Sequence, residues 1–328
     1  MPAAKVLAAL ALGAAACGAW ADGKLLRYGQ ALSAQRSIYS LPVALAQREG
    51  LFRREGIDFR VFIPLPGGAD RMIAALHDDT VDVTHVATPF LVRAALAGSD
   101  AVAIAAEFND PIYSLVARPE IARISDLKGR IVGMADPGGS IAYSMRKLLA
   151  LHGVREGDLQ MKIIEGTPAR LNCLRRGSCD AVPLGQPQDV QAQAEGYRLL
   201  GVSNDAVPEY LYTVTAARRS WASANSDLVV RYVRALAAAL AMIRDPARRT
   251  VVVAAIVDLT AVSPDVAERV LDLYAQPGRK ALPLRGEIDP KGVAQVIAFM
   301  ADAGQIKPPL PDAERFVDRS YLARAGVR

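Results

Sequence analysis

One stretch of sequence occurs twice in the chain. GGADRMIAALHDDTVDV, which begins at Gly67, aligns without a gap on GTPARLNCLRRGSCDAV when Gly68 is set on Gly166. Each copy is a glycine turn, a segment with helical apolar spacing and a strand that opens apolar-Asp-apolar, so that Asp82 falls on Asp180. A unit that recurs in this way predicts two lobes of related topology.

Strands and helices alternate around the first copy. KLLRYGQAL, at residues 24–32, has the composition of a strand, and LPVALAQREGLFRREG has the apolar spacing of a helix. IDFRVFI follows as a second strand, ahead of the repeated unit. Such alternation is typical of βαβ units with a parallel sheet. We therefore predict an α/β fold of two lobes, each a mostly parallel sheet flanked by helices.

Two β-rich runs lie where the chain would pass between the lobes. They are IYSLVAR, residues 112–118, and YLYTVTAARR, residues 210–219. Beyond them three helical segments each open with a Ser, Asp or Pro start signal. The two runs are predicted to be the crossing strands that join the lobes.

Composition excludes several classes of protein. The 328 residues are 52% hydrophobic and 22% charged, which indicates a globular chain and excludes a disordered one. The net charge is only +5, and no basic run resembles a nucleic-acid-binding surface. We expect no nucleic-acid partner.

The first 21 residues have the three parts of a secretory signal peptide. A charge at Lys5 is followed by an apolar stretch too short for a membrane helix and by the small-x-small site Ala19–Ala21. Cys17 offers a lipoprotein site as an alternative, although the alanines at 14–16 lack the leucine usual there. We expect cleavage before Asp22 and an exported, soluble protein.

Cys173 and Cys179 are the two cysteines that would remain after cleavage. An oxidising compartment permits a disulfide between them. The alternative is two small buried side chains, which free cysteines usually are.

Two longer segments resemble a known family. They are SLPVALAQREGLFRREGIDFRVFIPLPGGADRMIAALHDDTVDVTHVATP and ISDLKGRIVGMADPGGSIAYSMRKLLALHGV, and the tail RFVDRSYLARAG matches as well. In this order they resemble periplasmic substrate-binding proteins of ABC importers, in the branch that includes sulfonate, taurine and thiamine-pyrimidine-precursor binders. The resemblance covers nearly everything from Lys24 onward.

The resemblance implies an organisation and a set of partners. A signal peptide at 1–21 would precede a first lobe made of 22–111 and 213–328, with its helical C-terminus, and a second lobe at 112–212. A small-molecule ligand would bind in the cleft, and the lobes would close over it by hinge bending. The protein would be a periplasmic monomer that docks on an ABC permease in the inner membrane, with neither cofactor nor metal.

The start of the helix in ADPGGSIAYSMRKLLALHG is a candidate ligand site. A helix N-terminus presents free N–H groups and partial positive charge, which suit an anion or polar acceptor. Gly138 and Gly139 would let a ligand approach the backbone, and Ser140 would add a donor. No Gly-Lys-Ser/Thr follows, which excludes a nucleotide P-loop. The alternative is a plain helix cap.

Further candidates follow the other predicted strands, where ligands bind in open α/β sheets. Each could instead cap a loop: Ser37, Tyr39, Gly67, Gly68, Thr88 and Gln186. Three arginines could pair with an anion or be solvated: Arg36, Arg146 and Arg170. Glu107 precedes the first crossing strand and could meet an amine, or it could be a rim residue. His85 lies inside a strand, where a histidine is more often a core residue than a ligand contact.

The sequence favours a binding protein over an enzyme. Its three histidines are scattered, and it has no HExxH, CxxC or Gly-x-Ser-x-Gly motif. We predict a solute-binding component of an ABC importer, and we favour a sulfonate or carboxylate anion as its ligand. The alternative is an enzyme on the same fold that acts on a pyrimidine or menaquinone precursor.

Overall fold

Ten strands and thirteen α-helices of the residues that the structure describes build two α/β lobes. The computed structural model describes residues 23–31, 36–65, 69–207, 210–275 and 280–327. The predicted signal peptide, with Cys17, lies outside the described residues, and so do Gly67 and Gly68.

The first sheet defines lobe 1 and has the strand order β2-β1-β3-β10-β4. β1 pairs in parallel with β2 and β3, whereas β10 is antiparallel to both of its neighbours. Its strands are β1 (Lys24–Ala31), β2 (Ile57–Leu65), β3 (Val83–Ala87), β4 (Ala101–Phe108) and β10 (Thr213–Arg218).

The second sheet defines lobe 2 and repeats the same plan in the order β7-β6-β8-β5-β9. β6 is parallel to β7 and β8, and β5 is antiparallel to β8 and β9. Its strands are β5 (Ser114–Ala117), β6 (Ile131–Met134), β7 (Gln160–Ile163), β8 (Ala181–Leu184) and β9 (Arg198–Val202). In each lobe the antiparallel strand, β5 or β10, is the first strand that the chain forms after it passes from the other lobe.

Helices cover the sheets. In lobe 1 they are α1 (Leu41–Arg48), α2 (Leu51–Arg54), α3 (Ala69–His77), α4 (Thr88–Leu96), α8 (Arg219–Ala224), α9 (Ser226–Arg244), α10 (Arg249–Thr260), α11 (Pro264–Ala275), α12 (Pro290–Asp302) and α13 (Ser320–Arg324). In lobe 2 they are α5 (Ser140–Leu151), α6 (Thr167–Arg175) and α7 (Gln188–Ala194). All eight residues of β4 are buried, because α4 and α13 pack against it and its many alanines let them approach closely.

The sequence repeat corresponds to a structural one. The Asp82 carboxylate accepts a hydrogen bond from the Arg27 N–H of β1 at 2.8 Å, and the Asp180 carboxylate accepts one from the Ile131 N–H of β6, also at 2.8 Å. Each aspartate thus joins a βα unit to the neighbouring parallel strand of its own lobe. The predicted two-lobed α/β fold with mostly parallel sheets is confirmed.

Cys173 and Cys179 form a disulfide between the end of α6 and the approach to β8, with Cα atoms 5.4 Å apart. The same alignment places them on Ala75 and Val81, which are both buried in lobe 1. The bridge therefore occupies a core position of the repeated unit.

Within the described ranges, no single helix has the length and apolar character needed to cross a membrane. Pro246–Thr260 and Pro264–Ala275 satisfy that test only when taken together, across a bend of 112°.

Candidate functional site

A cavity of about 250 Å³ lies between the two lobes. Lobe 1 supplies the end of β1, the segment around Ser37, and residues of α3, β3 and α4. Lobe 2 supplies the turns that precede α5 and α6, together with Gln188 of α7. Residues of both lobes therefore line one cavity that is partly open to solvent, as a cleft for a small ligand requires.

Three tyrosines form an aromatic side of this cavity. Tyr39 of lobe 1 stacks on Tyr113, which begins lobe 2, with ring centroids 5.7 Å apart. Tyr212 meets Tyr39 edge-on at 5.0 Å, and its hydroxyl lies 3.3 Å from that of Tyr113. Burial raises the pKa of Tyr39 and Tyr212 well above the usual value, so both hydroxyls remain protonated. These rings offer a flat apolar surface with polar edges.

Arg170 is the cation buried in the cavity wall. Its side chain is only 2% exposed, and it lies in the first turn of α6. Nε donates to the Pro183 carbonyl at 2.7 Å, Nη1 to the Ile164 carbonyl at 3.1 Å and Nη2 to Thr167 Oγ1 at 3.0 Å. All three acceptors are neutral, and no carboxylate of the described residues pairs with Arg170. Burial lowers its pKa from the usual value, but an arginine remains charged at neutral pH.

The start of α6 faces the cavity beside this arginine. Gly166, Thr167 and Pro168 all line the cavity, and Gly166 has a positive φ of 79°, which a residue with a side chain rarely adopts. The sequence did not lead us to choose this turn, although the repeat aligns Gly166 with Gly68, which we did choose. Met72 and Arg170 occupy equivalent positions in the two copies, and both line the cavity.

His85 of β3 lies on the opposite wall, where its Nδ1 is 2.6 Å from the Glu107 carboxylate. The sequence predicted a histidine in the core. The residue is 8% exposed, but what exposure it has is to the cavity.

Glu107 is fully buried, so the alternative of a rim residue is wrong, and Glu107 is not among the residues that line the cavity. Its carboxylate accepts a hydrogen bond from Thr215 Oγ1 at 2.6 Å and a longer one from the Tyr28 hydroxyl at 3.3 Å. With His85 as a third partner, these donors compensate for the burial of the charge.

The predicted ligand residues are divided between two places. Ser37 and Tyr39 line the cavity. Gly138, Gly139 and Ser140 lie beside a much smaller gap between α5 and α12, where the Tyr210 hydroxyl donates to Ser140 Oγ at 2.8 Å. Their neighbours Asp136 and Ile141 do reach the cavity.

Thr88 and Gln186 are buried but are not among the cavity-lining residues. Thr88 Oγ1 donates to the Tyr212 carbonyl at 3.3 Å, which ties α4 to the second crossing segment. Gln186 donates to the Asp189 carboxylate at 2.7 Å and accepts a hydrogen bond from the Tyr274 hydroxyl at 2.5 Å. Gly67 and Gly68 lie outside the described residues, so nothing is said of their position.

The other two candidate arginines differ from Arg170. Arg36 is exposed on the wall of the cavity. Arg146 lines the smaller gap, where it donates to the Pro137 carbonyl and pairs with Glu156 at 3.0 Å. In the portion of the chain that the structure describes, no group of three or more His, Cys, Asp or Glu side chains could hold a metal ion.

Comparison with known proteins identifies the family. The model of the family described as NMT1/THI5 like matches residues 37–248. The chain belongs to the NMT1/THI5-like family. A relative, YtlA of Bacillus subtilis (strain 168), is 24% identical over 246 residues, which are 73% of this chain and 72% of YtlA.

Solved structures share the fold of this family member. The aliphatic sulphonate binding protein SsuA of Escherichia coli has a TM-score of 0.71 at 19% identity, covering 90% of this chain and 92% of SsuA. The nitrate-binding protein NrtA of Synechocystis PCC 6803 has a TM-score of 0.74 at 12% identity, covering 93% and 89%. The desulfurization enzyme DSZB, at 15% identity and a TM-score of 0.66, covers 92% and 98%. The chain therefore has the fold of periplasmic binding proteins, a fold that also carries an enzyme.

Proposed function

We propose that this protein is the solute-binding component of an ABC-type importer and that it binds a small organic anion between its lobes. Arg170 carries the proposal. An unpaired buried cation is costly to the folded protein, and a bound carboxylate or sulfonate offsets that cost through charge-assisted hydrogen bonds. Two of the five guanidinium N–H groups remain after the three hydrogen bonds to neutral oxygens. Those two groups suit the oxygens of an anion.

The comparisons with known proteins support a role in transport. SsuA and NrtA are named for the anions they bind, a sulphonate and nitrate, and NrtA is described as periplasmic. We infer that the N-terminal segment directs export of the protein to the periplasm. There the protein would act as a monomer that closes over its ligand and docks on an inner-membrane permease. Ser37 and Tyr39 would contact the ligand, while Thr88, Gly138, Gly139, Ser140 and Gln186 would support the cleft from behind its wall.

The side chains that line the cavity favour a carrier over an enzyme. Its walls hold two arginines, one imidazole, three tyrosines and two exposed carboxylates. Neither cysteine of the mature chain is a candidate nucleophile, because Cys173 and Cys179 are bonded to each other. This arrangement can bind and orient an anion without a covalent step.

Native mass spectrometry of the protein purified from the periplasm tests the proposal. We expect a co-purified small anion, and we expect benzenesulfonate or benzoate to bind while the uncharged benzenesulfonamide and benzamide do not. These pairs share a ring and differ in charge. A neutral or cationic co-purified ligand, or equal affinity for the amides, would contradict the proposal.

A further inference from the structure

His85 joins the cavity to a buried acid. Its Nδ1 hydrogen-bonds Glu107, and the rest of the ring lines the cavity. We propose that His85 contacts the bound anion through Nε2 and takes up a proton when the anion binds, so that affinity rises as the pH falls. The inference rests on the proposed function, since it requires an anionic ligand.

The hydrogen bonds around Glu107 fix the orientation of the imidazole. Thr215 and Tyr28 donate to this carboxylate, and the Tyr232 hydroxyl lies 3.0 Å from Thr215 Oγ1. A carboxylate held by two hydroxyl donors acts as the acceptor for His85, so Nδ1 carries a proton. Nε2 is then the nitrogen whose protonation changes. No hydrogen-bond partner of Nε2 occurs in the described part of the chain.

The charges around the cavity supply the reason for proton uptake. Without ligand, the buried Glu107 carboxylate that contacts His85 and the buried Arg170 guanidinium on the cavity wall carry opposite charges, which balance. A further buried acid, Asp189, does not line the cavity; its carboxylate accepts hydrogen bonds from Gln186 and Ser114, and burial raises its pKa. A bound anion adds a negative charge in a region of low dielectric, where an uncompensated charge is costly. Protonation of His85 restores the balance and places a second N–H donor on the ligand side. Anion and proton therefore stabilise each other's binding.

The remaining titratable groups around His85 do not replace it in this role. Burial raises the pKa of Tyr28 and Tyr232 well above the usual value, so they stay neutral donors. Three further charged side chains lie on the cavity wall and are exposed, so water and salt screen them: Arg36, Asp136 and Glu165. Histidine is the side chain whose charge ordinarily changes between pH 5 and 8.

Titration calorimetry in two buffers tests the inference on the unaltered protein. The probe is whichever of benzenesulfonate and benzoate binds more tightly, because both are ionised throughout the range. In phosphate and in Tris at equal pH, the difference in observed enthalpy counts the protons taken up. We expect about one proton on the alkaline side of the histidine range, and there the Kd should rise up to about tenfold for each pH unit.

Two histidine variants assign the proton. His85→Gln should abolish proton uptake and flatten the pH dependence of Kd. His77→Gln is the matched control, because His77 is exposed and hydrogen-bonds Ser99 on lobe 1 away from the cavity, and it should behave as the unaltered protein. Binding without proton uptake in the unaltered protein would overturn this inference and leave the proposed function standing. If neither probe binds, the proposed function fails, and the inference with it.

Discussion

The ring of Tyr143 stacks on the ring of Phe299 across the boundary between the lobes, with centroids 3.5 Å apart and planes inclined by 18°. Tyr143 lies on α5 of lobe 2 and Phe299 on α12 of lobe 1. A second contact between lobes joins Tyr274 to Gln186. None of these four residues lines the cavity. Besides the Tyr39–Tyr113 stack in the cavity wall, the lobes are therefore joined by side chains that lie outside the ligand site.

This stack should contribute to affinity without touching the ligand. Phe299→Leu keeps an apolar side chain but removes the stacking, which is worth about 0.5–1.5 kcal/mol for an aromatic pair. Because closure is part of binding, we expect the anion to bind about 2- to 10-fold more weakly. Calorimetry measures the affinity, and small-angle scattering should find the ligand-free variant more open.

A neighbouring ion pair provides the control for that prediction. Lys147 lies 3.1 Å from Asp302 across the same boundary, but both side chains are exposed. Lys147 Nζ also lies 5.2 Å from the Tyr143 ring centroid, so the control variant removes the other partner of the pair. Exposed pairs contribute little, so Asp302→Ala should change the Kd by less than about threefold. Equal effects of the two variants would mean that the aromatic stack has no special part in closure.

Ser140 and Tyr210 form a buried hydroxyl pair whose role a double-mutant cycle can separate from ligand binding. Ser140→Ala removes the acceptor of Tyr210, and Tyr210→Phe removes the donor. Each single change should lower the free energy of unfolding by about 1–2 kcal/mol, and the double variant should be little worse than either. Urea denaturation measures this coupling. If Ser140 instead binds the ligand, Ser140→Ala would weaken binding while Tyr210→Phe would not.

The sequence predicted the fold better than the site, for a physical reason. The periodicity of strands and helices, together with the repeat, indicates which elements pair. Asp82 and Asp180 occupy equivalent positions of the repeat, and each accepts a hydrogen bond from a backbone N–H of the neighbouring strand. Whether a buried side chain meets the core or a cavity depends on contacts between distant segments. The core position that the sequence favoured for His85 agrees with its burial, but no feature of the sequence indicated that the ring also lines the cavity. The sequence offered the rim as one alternative for Glu107, which is buried.

The helix starts illustrate the same limit. Gly138 and Gly139 carry the stronger glycine signal, yet the turn at Gly166 and Thr167 is the one whose glycine and hydroxyl residues line the cavity. An added Cβ at Gly139 would meet ordinary contacts of 3.4 Å or more with Asp136 and Phe90. Gly139→Ala should thus fold. Calorimetry of this variant measures the affinity for the ligand and tests whether the ligand contacts the backbone at this position.

The disulfide should stabilise the protein in an oxidising compartment. Closing so short a loop contributes about 2 kcal/mol in the chain-entropy model. Cys173→Ala combined with Cys179→Val reproduces the Ala75 and Val81 pair of lobe 1 and should fold with that much less stability. Alkylation before mass analysis, with and without reduction, measures the bridge. Two freely alkylated thiols in periplasmic protein would contradict it.

Asp189 should make stability depend on pH. Burial raises its pKa above the usual value, although Gln186 and Ser114 each donate to it at 2.7 Å. The folded state therefore holds this proton more tightly than the unfolded state, and stability is lost as pH rises from about 4, the ordinary aspartate value. Compared with Asp189→Asn, the unaltered protein should lose free energy of unfolding between about pH 4 and 7. Urea denaturation across that range measures it, and an unaltered protein that gains stability relative to Asp189→Asn as the pH rises would contradict the prediction.

Arg170→Met separates the ligand's need for a cation from the needs of the fold. Methionine is the residue at the equivalent position of lobe 1, Met72, so the change keeps a long apolar side chain. Removing the buried charge is favourable, but the change also removes three hydrogen bonds, so the melting temperature of the ligand-free protein should change little. The same change should weaken anion binding by about 10- to 100-fold, the loss expected for hydrogen bonds to a charged group.

Arg36→Met, at an exposed site on the same cavity, should weaken binding by less than about threefold. Calorimetry and thermal denaturation on both variants decide the matter. If Arg170→Met binds the anion with unchanged affinity, the cation is structural and the anion site lies elsewhere.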